Sequence, residues 1–232
     1  MRAVQDDEGA TDWLDRLGPG EALLAEEHVP FVRELAALVA RRPSGEIRSW
    51  VVAQTIQRDG VCAEVIAPAP GLDPVLAEQA QEIAVRIAEG LDVTGVLAVE
   101  LFEVADGGAG GSRLLVNELA MRPHNSGHWT IDGAATSQFE QHLRAVLDLP
   151  LGPTDPRAPV SVMVNLLGSE LTDPTTALPD VLARCPRARV ELYGKEVRPG
   201  RKLGHVTVYG DDLESARTEA RLAVALLRGE PA

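Results

Sequence analysis

Two strand-like segments joined by a glycine-rich loop constrain this sequence more than any other feature. Residues 93–104 and 113–120 are rich in Val and Leu, and the loop between them reads ADGGAGGS. Glycine tolerates the backbone angles that turns require, so the two segments are predicted to pair as an antiparallel hairpin. Each strand carries a carboxylate in an apolar setting: Glu100 in VLAVELF and Glu118 in LLVNELA.

Glu100 and Glu118 are predicted to lie almost opposite each other on the two strands, because the turn occupies residues 105–112. A charged carboxylate in a buried strand costs on the order of several kcal/mol, and facing carboxylates also repel each other. A divalent cation between them removes both problems. Oxygen ligands suit Mg²⁺ or Mn²⁺, with phosphates in the remaining positions and Asn117 as a further ligand. The alternative is an ordinary hairpin in which one carboxylate points to solvent.

The net charge of the chain makes any cationic segment informative. The 232 residues include 22 Lys and Arg against 35 Asp and Glu, which gives a net charge of −13. A surface this acidic repels phosphate backbones and anionic lipids, so neither nucleic acids nor membranes are expected as partners. Apolar residues at 45% and charged residues at 25% predict a globular chain rather than a disordered one.

Two segments nevertheless concentrate positive charge. The first, MRPHNSGHW, follows Glu118 directly and is interpreted as an oxyanion-binding loop, the alternative being an ordinary polar loop. The second, YGKEVRPGRKLGH, is interpreted as a phosphate or carboxylate site, the alternative being a solvated turn. Their candidate residues are Arg122, His124, Asn125, Ser126, Gly127 and His128 in the first segment, and Lys195, Arg198, Arg201, Lys202 and His205 in the second.

The cysteines and the N-terminus indicate the compartment. Cys62 and Cys185 lie far apart with no metal-binding spacing, which predicts reduced, partly buried thiols. No apolar run approaches the ~20 residues of a membrane-spanning helix. The first residues lack the basic-then-apolar order of a signal peptide, so a cytoplasmic protein is expected.

The remaining pattern predicts an α+β fold. A cluster of prolines at 150, 153, 156 and 159 suggests a boundary near residue 153, between a larger unit (1–152) and a small β-rich unit (153–232). The predicted strands are 46–56, 61–67, 160–167, 189–193 and 203–209, with 32–41 as either helix or strand. The predicted helices are 74–89, capped by Asp73 with the apolar stripe Leu76, Ala80, Ile83 and Ile87; 137–148, with Phe139, Leu143, Val146 and Leu147 on one face; and 212–228.

The quoted segments also resemble a known family. NELAMRPHNSGHWTIDGAATSQFEQHLRAVLDLPLG and LYGKEVRPGRKLGHVTV are similar to the 5-(carboxyamino)imidazole ribonucleotide synthases, ATP-grasp enzymes of purine biosynthesis. The similarity begins near Leu23. It implies a partial ATP-grasp domain, mainly its C-terminal antiparallel-sheet subdomain, followed by a small C-terminal domain. It also implies ATP-dependent phosphorylation of bicarbonate to carboxyphosphate and carboxylation of 5-aminoimidazole ribonucleotide.

The resemblance assigns roles by position. Spacing alone makes AEEHVPFVRELA, residues 25–36, an amphipathic edge, whereas the resemblance places it at the nucleotide. Adenine would be contacted by Glu26, Glu27, His28 and Val29. Glu34 would bind the ribose, and Gln57 would contact the nucleotide. Glu100 and Glu118 would hold Mg²⁺ beside Asn117. Arg122 and His124 would hold bicarbonate or carboxyphosphate, and Lys195 would act near the transferred group. Arg201 and Lys202 would bind the ribonucleotide phosphate. Further contacts with the substrate would come from Asn125, Ser126 and Arg198.

The resemblance also implies protein partners, and it shows where this sequence differs from the family pattern. Family members are dimers that act just before a mutase, so a homodimer and coupling to a mutase are expected. Residues 1–20 contain neither the lysine nor the glycine-rich phosphate loop of the family, and the first lysine is Lys195, so the sequence is interpreted as N-terminally truncated. The alternatives are a non-catalytic chain that binds nucleotide or a partner, and an ATP-grasp ligase with another acceptor.

Overall fold

The structure, a computed structural model, describes residues 4, 8–107 and 111–230. The chain divides into two compact units, Met1–Phe31 and Val32–Ala232. The first unit contains the short helix α1 (Glu8–Leu14), and its described residues after Leu14 form no further helix or strand. The tip of the predicted glycine-rich loop, residues 108–110, lies outside the described part of the chain.

The second unit is built on one antiparallel sheet of nine strands. The strand order is β6-β5-β1-β3-β4-β7-β9-β8, and β2 pairs with β1 beside this path. The predicted α+β class with an antiparallel sheet is therefore confirmed. The strands are β1 (Arg33–Arg41), β2 (Ile47–Ser49), β3 (Ala53–Arg58), β4 (Val61–Ala67), β5 (Gly95–Ala105), β6 (Ser112–Ala120), β7 (Val160–Leu167), β8 (Arg189–Leu192) and β9 (Lys202–Gly210).

Helices cover both faces of this sheet. None of the helices in the described residues is both long and apolar enough to cross a membrane. The helices are α2 (Pro74–Gly90), α3 (Thr130–Gly133), α4 (Gln138–Val146), α5 (Leu178–Arg184) and α6 (Leu213–Arg228), with 3₁₀ turns at Asn125–Gly127 and Pro174–Ala177.

The segment that the sequence left open between helix and strand is the central strand β1. Leu35 to Ala40 are all buried, because β1 lies between β3 and β5 and both of its faces are covered. A run that is buried on both faces shows no alternation, which is why its period is uninformative.

The prediction of one strand over residues 46–56 is wrong, since β2 and β3 are separated by residues 50–52. The Trp50 backbone N–H donates to Leu38 O at 3.1 Å, and its indole N–H donates to Thr136 O at 3.1 Å. The indole is fully buried, and the backbone bond continues the β1–β2 register; between Trp50 and Ala53 the register against β1 shifts by one residue, which divides the segment into two strands.

One face of the sheet is covered by α2 and α6. Asp73 caps α2 as predicted by accepting from the Val75 N–H at 2.8 Å. The predicted stripe faces the sheet: Leu76 and Ala80 are buried, and Ile83 and Ile87 are partly buried against the same core, whose remaining buried α2 residues are Ala84 and Ala88. Alanines on the contact line let the helix lie close to the sheet, and the larger isoleucines pack partly buried at its side.

Helix α6 is joined to β4 by a buried ion-pair cluster. Glu64 on β4 has a side chain only 2% exposed and binds Arg217 at 2.5 Å and Arg221 at 2.7 Å. Strand β4 also pairs with β7, so the segments before and after residue 153 belong to one compact unit. The proposed boundary near residue 153 stays a prediction.

The opposite face carries the residues that follow β6. Trp129, Ala134 and Ala145 pack there against the even-numbered side chains of β1 and β5. In helix α4 the predicted apolar face, Phe139, Leu143, Val146 and Leu147, is exposed, whereas Gln138, Gln141 and Ala145 are buried. The two glutamines are buried because their amides bond to neighbouring backbone, as described below. Cys62 and Cys185 are free thiols, the second fully buried.

Candidate functional site

The carboxylate pair lies on the β5–β6 hairpin, and Glu100 faces Glu118 as predicted. The register contains a bulge at this point: Leu101 pairs with Val116 and Glu100 with Glu118, so Asn117 is the extra residue on β6. Without this bulge Glu100 would face Asn117 instead. Bulges reorient side chains beside functional sites, and here the bulge places the second carboxylate opposite the first.

A third carboxylate adds to the negative charge of this face. Burial raises the pKa of Glu100, and the charges of Glu118 and Glu34 raise it further. Burial also raises the pKa of Glu34 on β1, while a hydrogen bond from the Gln57 side chain acts in the opposite direction. These acids share one sheet face with unfavourable electrostatics, which a bound cation would relieve.

The oxygen ligands on the hairpin suit a cation that takes most of its other ligands from phosphate oxygens and water. Among the described residues no group of three or more His, Cys, Asp or Glu side chains is arranged to hold a metal ion. Glu100, Glu118 and the Asn117 amide offer hard oxygen ligands only. Mg²⁺ and Mn²⁺ suit such a site, because Mg²⁺ is commonly bound by one or two carboxylates together with phosphate oxygens.

His124 connects the cationic loop, residues 121–129, to the carboxylates. Its Nε2 lies 3.7 Å from Glu100 Oε1, and its Nδ1 lies 2.9 Å from Ser126 Oγ. The Ser126 N–H also points to Nδ1 at 3.4 Å, which favours the tautomer with its proton on Nε2. Burial and the Arg122 charge lower the pKa of His124, so this imidazole is neutral near pH 7.

The other loop residues differ in what they can offer a ligand. Arg122 is exposed and donates to Pro123 O at 3.3 Å. Both polar side-chain atoms of Asn125 are buried beside the Cys62 thiol, whose pKa is raised by burial and lowered by the Asn125 side chain, and neither atom has a partner in ideal hydrogen-bond geometry. Ser126 is buried and holds His124, and its predicted contact with substrate stays a prediction.

An aromatic and imidazole cluster beside the loop is a feature that sequence reasoning missed. His128 stacks on Phe139 with ring centroids 5.6 Å apart and on His205 with centroids 5.1 Å apart. Tyr193 OH lies 2.7 Å from His205 Nδ1. Burial lowers the pKa of His128 to about 4 and that of His205 to about 3, so both rings are neutral at pH 7. The only sequence signal was the presence of both histidines in the cationic segments.

The second cationic segment reaches the same cluster through Lys202 at the start of β9. Burial lowers the pKa of Lys202, and its charge lowers the pKa of His124, His128 and His205. Lys195 Nζ lies 5.3 Å from the centre of the Tyr193 ring. The structure therefore brings these two lysines to the site.

The arginines of this segment are placed differently. Arg198 is exposed and paired with Glu196 at 2.6 Å, and Arg201 donates to Glu196 O at 3.4 Å. Their predicted contacts with substrate stay predictions.

The predicted adenine-binding residues lie in the first compact unit. Glu26, Glu27 and His28 are exposed and Val29 is half-buried, in a segment without helix or strand. Their contact with adenine stays a prediction, as does the contact of Glu34 with ribose.

Comparisons with known families agree with the resemblance. The ATP-grasp domain model matches residues 2–139, and the phosphoribosylaminoimidazole carboxylase C-terminal domain model matches residues 161–219. The N5-carboxyaminoimidazole ribonucleotide synthase of Mycobacterium tuberculosis is 55% identical over 227 residues, which cover 96% of this chain and 52% of the relative. The chain thus spans about half the length of the curated relatives that it matches.

Solved structures give the same result. The N5-carboxyaminoimidazole ribonucleotide synthetase of Thermus thermophilus is 38% identical with a TM-score of 0.77, covering 98% of this chain and 67% of that one. The Aspergillus clavatus N5-carboxyaminoimidazole synthase in complex with ADP and 5-aminoimidazole ribonucleotide is 34% identical with a TM-score of 0.76, covering 86% and 52%. By both comparisons this chain belongs to the ATP-grasp family and, within it, to the N5-carboxyaminoimidazole ribonucleotide synthases.

Proposed function

We propose that this chain takes part in the ATP-dependent carboxylation of 5-aminoimidazole ribonucleotide by bicarbonate, giving N5-carboxyaminoimidazole ribonucleotide, ADP and phosphate. The observation that carries this proposal is the facing pair Glu100 and Glu118, with His124 Nε2 3.7 Å from Glu100. A metal–phosphate site and an oxyanion site are then adjacent, as phosphorylation of bicarbonate requires. The Aspergillus clavatus relative, which binds ADP and the aminoimidazole ribonucleotide, supports the same chemistry.

The nucleotide end of the site consists of acidic and amide groups. Glu100 and Glu118 would hold Mg²⁺ or Mn²⁺, with Asn117 beside them. When bound, the cation neutralises charge on the ATP phosphates during transfer. Glu34, held by Gln57, would bind the nucleotide ribose. Residues 26–29 belong to the first unit, and the resemblance alone assigns them a contact with adenine.

The bicarbonate end combines fixed charge with a neutral imidazole. Arg122 supplies a permanent positive charge that can bind an oxyanion in a forked geometry. His124 is neutral near pH 7 because its pKa is lowered by burial, so its Nε2–H can donate a hydrogen bond to bicarbonate or carboxyphosphate. A bicarbonate oxygen attacks the γ-phosphorus, the bond from that phosphorus to the bridging oxygen breaks, and ADP leaves. The carboxyphosphate formed must be kept from water until its carboxyl group reaches the amine.

The ribonucleotide end is the lysine-bearing side of the cluster. Lys202 and Arg201 would bind the substrate phosphate, while Lys195 would lie near the transferred carboxyl group. Asn125, whose buried amide lies beside Cys62, would contact the substrate. Arg198 donates to Glu196 through Nε and Nη2, so only its remaining N–H groups are available to an anion.

The partner assignments rest on the resemblance. A homodimer and coupling to a mutase that consumes the product are part of the proposal. The cytoplasmic location stays a prediction from cysteine usage.

The test is ADP release by the purified chain with ATP, Mg²⁺ and bicarbonate, with and without 5-aminoimidazole ribonucleotide. We expect stimulation by the ribonucleotide and its loss in Glu100→Gln. Glu78→Gln, which removes an exposed carboxylate from α2 on the other side of the sheet, is the matched control and should behave like the wild type. Binding of Mg²⁺–ATP without ribonucleotide-stimulated turnover would refute the proposal in favour of nucleotide binding alone.

A further inference from the structure

Gln138, the first residue of α4, holds the cationic loop with its side-chain amide. Its Oε1 accepts the His124 N–H at 2.9 Å, and its Nε2 donates to His124 O at 2.7 Å. The same Nε2 lies 2.9 Å from His128 Nδ1. The side chain is fully buried, so all three bonds form away from water. One amide therefore contacts both histidines of the loop.

The main chain at Gln138 is tied to the same loop. Its N–H donates to Thr130 Oγ1 at 2.8 Å, and that hydroxyl donates to Gly127 O at 2.6 Å. A Cβ added at Gly127 would collide with the Gln138 amide and with Leu38. The loop backbone at Gly127 thus lies directly against the amide.

These contacts fix the orientation of the amide and the tautomer of His128. The His124 N–H can only donate, so the amide oxygen must face it and the NH₂ group must face His124 O and His128. His128 Nδ1 is then an acceptor, because the NH₂ group offers only protons. The neutral His128 ring, with its pKa lowered to about 4 by burial, must carry its proton on Nε2.

We propose that Gln138 is a positioning residue for the proposed carboxylation. Its amide fixes the backbone of His124, so that Nε2 of this residue faces Glu100, and it holds His128 as the Nε2–H tautomer against His205. It thereby fixes the position of the carboxylate side of the site, at Glu100, relative to the lysine side, at His205 and Lys202. The proposal rests on the proposed function, but its structural part can be tested without turnover.

Gln141 provides a matched control on the same helix. It is also fully buried, its Oε1 accepts the Gly152 N–H at 2.8 Å, and its Nε2 donates to Gly152 O at 2.8 Å. A glutamate at either position keeps the acceptor and loses the donor. The two substitutions should therefore destabilise the fold similarly, and only Gln138→Glu changes the contacts of the histidines.

The first experiment is ¹⁵N NMR of the histidine side chains in the wild-type chain, Gln138→Glu and Gln141→Glu at pH 7. We expect the Nε2–H tautomer of His128 in the wild type and in Gln141→Glu. In Gln138→Glu we expect a switch to Nδ1–H, which can donate to the new carboxylate. An unchanged His128 tautomer in folded Gln138→Glu overturns the proposal.

A second variant keeps the test decisive if a buried glutamate prevents folding. Gln138→Met has a similar shape, no charge and no hydrogen bond to the loop, so His128 should lose its single tautomer. A single Nε2–H signal in folded Gln138→Met would overturn the proposal equally.

The second experiment measures ribonucleotide-stimulated ADP release. Gln138→Glu should lower kcat by at least about 10-fold, as loss of supporting hydrogen bonds commonly does, and leave the KM for ATP nearly unchanged. Gln141→Glu should keep both values. Equal kcat losses in both variants would show a purely structural role and overturn the proposal. A wild-type chain without turnover would refute the proposed function, and the NMR result would still decide the role of Gln138.

Discussion

Removing one carboxylate from the facing pair should stabilise the metal-free chain and abolish its response to Mg²⁺. Glu100 is the better choice, because its side chain is 19% exposed whereas Glu118 is exposed. Facing side chains on paired strands place two carboxylates ~6 Å apart. Two unit charges at ~6 Å repel by about 1–3 kcal/mol at effective dielectric constants of ~60 to ~20. Since Glu118 is exposed, we expect the lower end of this range. Glu100→Gln should raise the free energy of unfolding of the metal-free chain by about 1 kcal/mol.

The sign of this effect depends on pH. The pKa of Glu100 is raised above its ordinary value of 4.5 by burial and by Glu118. Between that value and the raised one, the folded chain binds more protons than the unfolded chain, so stability falls as pH rises. The advantage of Glu100→Gln should therefore be full at pH 7 and vanish near pH 4.

The assay is urea denaturation in EDTA and in Mg²⁺, at both pH values. Mg²⁺ should stabilise the wild type at pH 7 and have no effect on Glu100→Gln. Glu103→Gln is the matched control on the same strand, because Glu103 is paired with Arg33 at 2.5 Å. This variant should instead lower the free energy of unfolding by about 1–3 kcal/mol. A Glu100→Gln variant less stable than the wild type in EDTA would refute the reasoning.

Three further predictions follow from the charges. Glu64→Ala should lower the free energy of unfolding by about 3 kcal/mol, because two arginines of α6 lose a buried partner; an unchanged urea midpoint would contradict the ion-pair cluster. Neutral His128 and His205 have pKa values of about 4 and about 3, whereas the unfolded chain takes up protons near 6.5, so stability should fall as pH drops from 6.5 to 4; a flat urea midpoint over this range would oppose it. Lys202→Met should raise the KM for the ribonucleotide more than Arg198→Met, because Arg198 is paired with Glu196; steady-state kinetics would show the reverse order if the assignment is wrong.

Much of the fold could be predicted because the determining signals are local. Loop length set the register of the β5–β6 hairpin to within a residue, and Asp73 marked the start of α2. The bulge at Asn117 could not be predicted, since a one-residue insertion leaves no mark in the hydrophobic pattern. The one-residue register shift between β2 and β3 could not be predicted either, and it lies beside Trp50, whose indole bonds to Thr136, a residue distant in sequence.

The site was predicted where charge stood out against the acidic background. Lys202 and His124 were found in this way, and the structure places both in one electrostatic neighbourhood. Gln138 was missed because pattern reasoning assigns apolar residues to the interior of a helix. Its burial is explained only by hydrogen bonds to His124 and His128, which the fold brings together.

The most direct test of the central claim follows an oxygen atom from bicarbonate. The chain is incubated with ATP, Mg²⁺, 5-aminoimidazole ribonucleotide and ¹⁸O-labelled bicarbonate, and the released phosphate is analysed by mass spectrometry. If bicarbonate attacks the γ-phosphorus, one bicarbonate oxygen stays on that phosphorus when the carboxyl group departs. The account predicts one ¹⁸O in each phosphate released in response to the ribonucleotide. Phosphate without the label would mean that water attacks ATP, and it would contradict the account.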